Sequence, residues 1–121
     1  MPQTLTVEAL HAKWIEVFNN RDLDTHAALY TENAMLFGSK PELSVGRAAI
    51  RAYFAARGPA VKVLRYPLPH IVFHGADMAA TAAHVDFADG AMLMPYRVTW
   101  MLVRQAGHWR ITQHHGSPRH G

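Results

Sequence analysis

Apolar residues recur with helical spacing near the start of the sequence. Leu10, Trp14, Val17 and Phe18 stand at positions i, i+4, i+7 and i+8, which predicts an amphipathic helix. Thr6 precedes this stretch and can cap it, because its hydroxyl can accept a hydrogen bond from an unpaired backbone N–H of the first turn. We therefore expect a helix here that packs its apolar face against a core.

Two more helices are predicted before residue 60. The segment THAALYTEN predicts a short second helix with Asp24 as its N-cap. The segment RAAIRAYFAARG predicts a third, because Ile50, Tyr53 and Phe54 share one face and Gly58 is a suitable C-terminal stop. A brief apolar segment between them, AMLFG, predicts a strand.

From Val61 onward the sequence is rich in β-branched and aromatic residues set between turn signals. KVLRYPLPHIVFHG predicts an edge or bulged strand, because Pro67 and Pro69 interrupt it. Residues 78–116 predict three strands, with a first turn at Asp89-Gly90 and a second at QAG. Helices followed by a meander predict an α+β fold with helices on one face of an antiparallel sheet.

The predicted first hairpin places three polar residues together. With Asp89-Gly90 as the two loop residues, His84 lies opposite Pro95, and His84, Asp86 and Arg97 fall on one face of the sheet. We expect this face to border a cavity. His84, Asp86 and Arg97 would then be catalytic residues: a base, an acid and a cation that favours an anionic or carbonyl-bearing ligand.

The second hairpin decides which of the adjacent histidines, His114 or His115, points inward. A two-residue loop at Ala106-Gly107 pairs Thr99 with His114, whereas a three-residue loop pairs Arg97 with His115. We favour His114 inward, as a fourth candidate catalytic residue. In either register the two histidines point to opposite faces, so both cannot bind one metal ion.

The remaining histidines are interpreted as surface or loop residues: His11, His26, His70, His74, His108 and His120. The sequence has no H-E-x-x-H motif and no cysteine, so we expect no metal and no other cofactor. Candidate substrate-binding residues, which would supply shape and apolar contact, are Trp14, Phe18, Tyr53, Phe54, Thr99 and Trp100.

Composition narrows the class of protein. A chain of 121 residues with 50% hydrophobic and 17% charged residues predicts one globular domain, residues 1–121. The net charge is +3, but the basic residues are scattered, which argues against a nucleic-acid interface. We find no secretory signal and no apolar run long enough to cross a membrane, so we expect a cytoplasmic protein.

Four segments resemble the nuclear transport factor 2-like superfamily. They are KWIEVFNNRDLDTHAALYTENAML, VGRAAIRAYF, LPHIVFHGADMAATAAH and YRVTWMLVRQAGHWRITQHHGS. In order and spacing they are similar to the SnoaL-like branch and to the association domain of calcium/calmodulin-dependent protein kinase II. The resemblance implies a cone: a strongly curved antiparallel sheet with three N-terminal helices that enclose a pocket, commonly as a homodimer.

The resemblance also relates single residues of this sequence to functional residues of the superfamily. Arg97 matches one of the arginines that line the association domain's pocket, whereas Gly116 stands where another would be. Ketosteroid isomerases in the superfamily use a carboxylate at the end of the first strand, where this chain has no acid near Gly38. Their tyrosine on the first helix is matched by Trp14. This argues against ketosteroid isomerase chemistry by that constellation.

Three function classes follow. The first is a cofactor-independent acid/base enzyme of the isomerase, cyclase or lyase type, acting on an apolar, oxygenated small molecule. The second is a non-catalytic ligand-binding or oligomerisation module like the kinase association domain. Metal-dependent chemistry through His114 ranks last. Many activities share this fold, so only the residues and geometry of the site can distinguish between these classes.

Overall fold

Three helices and seven strands make up residues 6–119, the part of the chain that the computed structural model describes. In chain order they are α1 (Val7–Asn19), α2 (Leu23–Ala28), β1 (Tyr30–Phe37), β2 (Ser44–Val45), α3 (Arg47–Ala55), β3 (Val61–Arg65), β4 (His70–Phe73), β5 (Met78–Asp89), β6 (Met92–Gln105) and β7 (His108–Pro118).

The strands form one curved, mixed sheet in the order β2-β1-β7-β6-β5-β3, with β4 also paired to β5. All the strand pairs are antiparallel except β1 and β7, which run parallel. Pro67 and Pro69 split the single predicted strand into β3 and β4, because proline cannot donate to the ladder. The predicted α+β fold is confirmed.

Local signals explain where two of the helices begin. The hydroxyl of Thr6 accepts a hydrogen bond from the Ala9 N–H at 3.0 Å, as predicted for the N-cap of α1. Helix α2 begins earlier than predicted, because Asp22 rather than Asp24 caps it and accepts from the Thr25 N–H at 3.3 Å. This carboxylate also lies close to the positive end of the helix dipole, and its hydrogen bonds to Thr25 lower the pKa of Asp22.

The core lies between the helices and the inner face of the sheet. The α1 stripe of Leu10, Trp14, Val17 and Phe18 is buried, in agreement with the sequence. In β5 and β6 the inward side chains include Val85, Val98, Trp100 and Leu102. Burial of this apolar area is what fixes the sheet face that the helices cover.

The first hairpin turns one residue later than predicted. Gly90 and Ala91 form the loop, and Gly90 has a φ of 59°. A positive φ at the first loop position, which glycine adopts at little cost, suits a two-residue hairpin. Consequently His84 pairs with Arg97 rather than with Pro95.

The prediction that His84, Asp86 and Arg97 share a cavity is wrong. The partner of each β5 residue lies two positions further along β6 than predicted. A shift by two keeps all three residues on one face, but that face is the outer one, where His84 and Arg97 are exposed. The interleaved face carries the larger apolar residues, so the helices cover that face and leave the polar one to solvent.

Asp86 is buried for a different reason. Arg65 and Arg119 cover its carboxylate from outside the sheet, with N–O distances of 3.0 and 3.2 Å. Arg65 lies on the edge strand β3 and Arg119 follows β7, so these ion pairs connect both segments to β5. Asp86 therefore has no access to the space beneath the helices.

A β-bulge aims His114 inward. The two-residue loop Ala106-Gly107 forms as predicted, and both of its residues have positive φ. An irregularity between the Met101 and Leu102 pairs then shifts the register, so that His114 pairs with Trp100 instead of Thr99. The extra residue at this bulge moves His114 onto the inner face, opposite to that of Arg97.

Within residues 6–119, none of the helices combines the length and apolar character needed to span a bilayer.

Candidate functional site

A cavity of about 300 Å³ lies between the helices and the inner face of the sheet. That volume is at the lower end of the range for small-molecule sites. Most of its wall is apolar or aromatic and comes from Trp14, Phe18, Phe54, Val61, Phe87, Met94 and Val98. Of the predicted substrate-binding residues, Trp14, Phe18, Tyr53 and Phe54 line this cavity. Their role in binding stays a prediction.

Each polar side chain in the cavity wall can donate a hydrogen bond. The polar side chains that line the cavity are Ser39, Tyr53, Arg57, Tyr96 and His114. No aspartate or glutamate of residues 6–119 lies in this wall. Such a site favours a ligand that presents oxygen acceptors or negative charge.

Two hydrogen bonds at Nδ1 hold the ring of His114, and a third holds the Tyr30 hydroxyl. The Trp14 Nε1–H donates to the Tyr30 hydroxyl at 2.9 Å, and the Tyr30 oxygen lies 2.8 Å from His114 Nδ1. The Trp100 Nε1–H donates to the same His114 Nδ1 at 3.1 Å. An indole N–H is a donor only, so His114 Nδ1 must be an acceptor.

This arrangement determines the protonation state of His114. Because Nδ1 accepts, the single ring proton of the neutral imidazole sits on Nε2. Burial lowers the pKa of His114 to about 3, and the nearby His26 and His115 act in the same direction. His114 is therefore neutral at physiological pH and donates from Nε2.

The Nε2 edge of His114 faces the cavity beside Gly116. A Cβ built on Gly116 would lie 3.5 Å from His114 Nε2, and both residues belong to the cavity wall. Because residue 116 has no side chain, space is left next to this N–H. The site can thus present one directed, uncharged donor to a ligand oxygen in an apolar cavity.

The other candidate residues lie elsewhere. His84, Arg97 and Thr99 project from the outer face, so they do not border this cavity. Trp100 is buried and supports His114 from behind instead of lining the wall. Among the four candidate catalytic residues, the structure thus brings only His114 to the cavity, and its catalytic role stays a prediction.

Two histidines interpreted as surface residues are buried. His11 and His26 are 4% and 2% exposed, and His26 stacks on Phe54 with 4.1 Å between ring centroids. Their apolar surroundings lower the pKa of His11 and bring that of His26 to about 3. They sit on helices α1 and α2 within the aromatic cluster around Trp14. His120 lies outside the described residues.

A second polar group in the wall connects Tyr53, Ser39 and Arg57. The Ser39 backbone N–H donates to the Tyr53 hydroxyl oxygen at 2.8 Å, and Arg57 donates to Ser39 Oγ. The Arg57 guanidinium lies over the Tyr53 ring, 4.3 Å from its centroid. The Tyr53 oxygen can pack here because Gly38 has no side chain: a Cβ at position 38 would overlap it.

We expect Gly38→Ala to lower the free energy of unfolding by about 1–3 kcal/mol, because the new methyl must displace the rigid Tyr53 ring. Gly58→Ala is the matched control, since its Cβ would meet only Val61 Cγ2 at 3.7 Å. Urea denaturation of both variants measures the difference. Equal free energies of unfolding for the two variants would contradict the packing of the Tyr53 hydroxyl against Gly38.

Sequence reasoning missed four polar residues of this site: Tyr30, Ser39, Arg57 and Tyr96. Tyr30 opens strand β1, Ser39 follows that strand, Arg57 follows α3, and Tyr96 lies in mid-strand on β6. No spacing in the sequence relates them, because the sheet register and the packing of α3 bring them together. Residues 6–119 contain no group of three or more His, Asp or Glu side chains arranged to hold a metal ion.

Comparison with known proteins places the chain in a family. The family model for the SnoaL-like domain matches residues 7–120, and the chain belongs to this family, within the nuclear transport factor 2-like superfamily. No curated protein matches the sequence.

Solved structures support the same fold at low sequence identity. A ketosteroid isomerase-like protein from Erwinia carotovora atroseptica has a TM-score of 0.82 at 20% identity, over 95% of each chain. A nuclear transport factor 2-like protein with a cystatin-like fold from Novosphingobium aromaticivorans has a TM-score of 0.82 at 16% identity, over 95% of this chain and 80% of that chain. A nuclear transport factor 2-like protein of unknown function from Pseudomonas putida has a TM-score of 0.79 at 21% identity, over 93% of this chain and 83% of that chain. These likenesses establish the fold, and the chain is a pocket protein of this superfamily.

Proposed function

We propose that this protein binds an apolar small molecule through a carbonyl oxygen, which accepts a hydrogen bond from His114 Nε2–H. One hydrogen bond carries the proposal: the Trp100 indole N–H donates to His114 Nδ1 at 3.1 Å. That bond fixes the proton on the nitrogen that faces the cavity.

The surroundings of His114 support a ligand oxygen rather than water alone as its partner. The wall around it is mainly aromatic and aliphatic, which favours an apolar ligand body. A neutral donor costs less to bury than an imidazolium, and its hydrogen bond to a carbonyl is strengthened by the low local polarity. A carbonyl group satisfies this donor, whereas a hydrocarbon leaves it without a partner.

The proposal is tested with two probes of nearly the same shape. 2-Acetylnaphthalene carries a carbonyl, and 2-isopropenylnaphthalene replaces its oxygen with a methylene group. The measured quantity is the ratio of the affinity for the ketone to the affinity for the hydrocarbon. We expect this ratio to be about 3–10-fold higher for the natural chain than for His114→Leu, because a net hydrogen bond contributes about 1 kcal/mol. Isothermal titration calorimetry gives both dissociation constants.

The adjacent residue supplies the control variant. His115→Leu makes the same chemical change on the outer face and should keep the ketone preference. His114→Gln, which can accept from Trp100 and donate into the cavity, should restore part of it. An unchanged ketone preference in His114→Leu contradicts the proposed role of His114.

A second candidate function is catalysis. A preorganised, uncharged donor in an apolar cavity suits the stabilisation of a developing oxyanion, as an isomerase, cyclase or lyase without a cofactor requires. This function ranks second because proton abstraction beside a carbonyl also needs a base. No carboxylate of residues 6–119 lines the cavity, and the single lone pair of His114 Nδ1 is already engaged by the Trp100 N–H, with the Tyr30 hydroxyl also 2.8 Å away.

Deuterium exchange separates binding from catalysis. If the chain enolises ketones, the acetyl methyl group of 2-acetylnaphthalene will gain deuterium in D₂O faster with the natural chain than with His114→Leu. Saturating binding without any acceleration of exchange supports the binding function alone. The homodimer and the cytoplasmic location expected from the sequence remain proposals, and sedimentation velocity tests the first of them.

A further inference from the structure

Arg57 has no acidic partner among residues 6–119, unlike five other arginines of that part of the chain. Arg47, Arg51, Arg65 and Arg104 each lie within 4.0 Å of a carboxylate oxygen, as does Arg119. No carboxylate within residues 6–119 pairs with Arg57, although this arginine lines the cavity. Its charge is therefore not neutralised by that part of the protein.

The guanidinium of Arg57 also has hydrogen-bonding capacity to spare. Its Nε–H donates to the Tyr53 carbonyl oxygen at 3.1 Å, and one Nη1–H donates to Ser39 Oγ. A guanidinium has five N–H donors, so three remain without an acceptor among residues 6–119. The two bonds and the stacking on Tyr53 hold the group in place with its remaining donors available.

Two phenol groups lie at the same part of the wall. Tyr53 accepts from the Ser39 N–H and can also accept from Ser39 Oγ, which leaves its own proton for a ligand. Tyr96 lines the same cavity wall as Tyr53 and Arg57, and a Cβ built on Gly116 would lie 3.8 Å from its Cδ2. Arg57, Tyr53 and Tyr96 thus form a cluster of donors separate from the Trp14–Tyr30–Trp100 bonds that hold His114.

We propose that Arg57, Tyr53 and Tyr96 form an anion site, so that the ligand is an apolar molecule with a carboxylate in addition to its carbonyl oxygen. A planar guanidinium matches the two oxygens of a carboxylate, and each phenol can donate one more hydrogen bond to it. The proposal deepens the function proposed above, on which its assignment of the carbonyl to His114 rests. The anion site itself rests on Arg57 and its neighbours alone.

The proposal is tested with 6-acetyl-2-naphthoate and its methyl ester, which differ in the negative charge at one end of the same ring system. Charge-assisted hydrogen bonds are strong enough that we expect the natural chain to bind the carboxylate about tenfold or more tightly than the ester. In Arg57→Gln this ratio should fall to about one, and in Tyr96→Phe it should fall by about threefold. Calorimetry on the full chain measures all the constants.

Arg97→Gln provides the matched control, because Arg97 is an exposed arginine on the outer face of the sheet. It should keep the full preference for the carboxylate. Equal affinity of the natural chain for acid and ester overturns the anion site, and so does an unchanged ratio in Arg57→Gln. If Arg57→Gln does not fold, an unchanged ratio in Tyr96→Phe overturns it instead.

The outcomes also separate the two proposals. A carboxylate preference that depends on Arg57, together with no ketone preference in the naphthalene pair, removes the role of His114 and retains the anion site. A ketone preference without a carboxylate preference removes the anion site and retains the role of His114. Failure of every probe to bind contradicts both proposals.

Discussion

Lowering the pH from about 7.5 to about 5 is expected to reduce the free energy of unfolding by about 4 kcal/mol. The cause is the burial of His26 and His114, each of which has a pKa of about 3 in the folded chain. A typical domain is stable by only about 5–15 kcal/mol, so the loss is a large part of the total. Urea denaturation at a series of pH values measures it.

The direction follows from proton uptake on unfolding. In the unfolded chain both histidines return to a pKa near 6.5 and bind protons below it, whereas in the folded chain they stay neutral down to about pH 3. Between these limits the unfolded chain binds more protons, so stability falls as the pH falls, by about 2 kcal/mol per histidine at about pH 5. His11, whose pKa is also lowered by burial, adds to the same trend.

Replacement of one buried histidine isolates its contribution. His26→Leu removes a group that stacks on Phe54 but lies outside the cavity wall, and it should reduce the loss between the two pH values by about 2 kcal/mol. His84→Leu changes an exposed histidine and should leave the pH dependence as it was. A free energy of unfolding that is flat over this range contradicts the burial of neutral histidines.

Tyr30→Phe is expected to lower the free energy of unfolding by about 2–3 kcal/mol. The Tyr30 side chain is fully buried, and its hydroxyl bridges Trp14 Nε1 and His114 Nδ1. Its removal leaves the Trp14 N–H without this acceptor in an apolar core, which is more costly than the loss of an exposed bond. Urea denaturation measures the change.

The same variant should leave the ketone preference in place. His114 Nδ1 still accepts from Trp100 when Tyr30 is replaced by phenylalanine, so the proton stays on Nε2. Tyr66→Phe is the control for stability, because Tyr66 is 44% exposed and its hydroxyl can bind water. Equal stability of the two variants would mean that the Trp14–Tyr30–His114 chain contributes nothing to the fold.

Helices and strands could be predicted from the sequence because their signals are local. The Leu10, Trp14 and Phe18 stripe, the Thr6 cap and the Ala106-Gly107 loop each involve neighbours along the chain, and each is found in the structure. His114 points inward as expected, but for a different reason. An unbulged ladder would place it on the outer face with Arg97, and the bulge reverses this.

The polar residues of the site were mostly beyond prediction because they depend on tertiary structure. The pattern in β5 and β6 put His84, Asp86 and Arg97 on one face correctly, but it could not show that the helices cover the other face. Arg57 and Ser39 follow elements that are distant from β6 in sequence, and the sheet register together with the packing of α3 brings them to the same cavity wall as Tyr96. Side-chain alternation defines the two faces of a sheet, and the burial of apolar area decides which one is inside.

The proposed function requires His114 to be a neutral imidazole with its proton on Nε2. Two-bond ¹H–¹⁵N correlation spectra of the histidine rings at about pH 7 and about pH 5 test it directly, with His114→Gln used to assign the signals. We expect a protonated Nε2 and an unprotonated Nδ1 at both pH values, and a shift of the Nε2 signal when 2-acetylnaphthalene is added. A proton on Nδ1, or an imidazolium at about pH 5, would contradict the proposed role of His114.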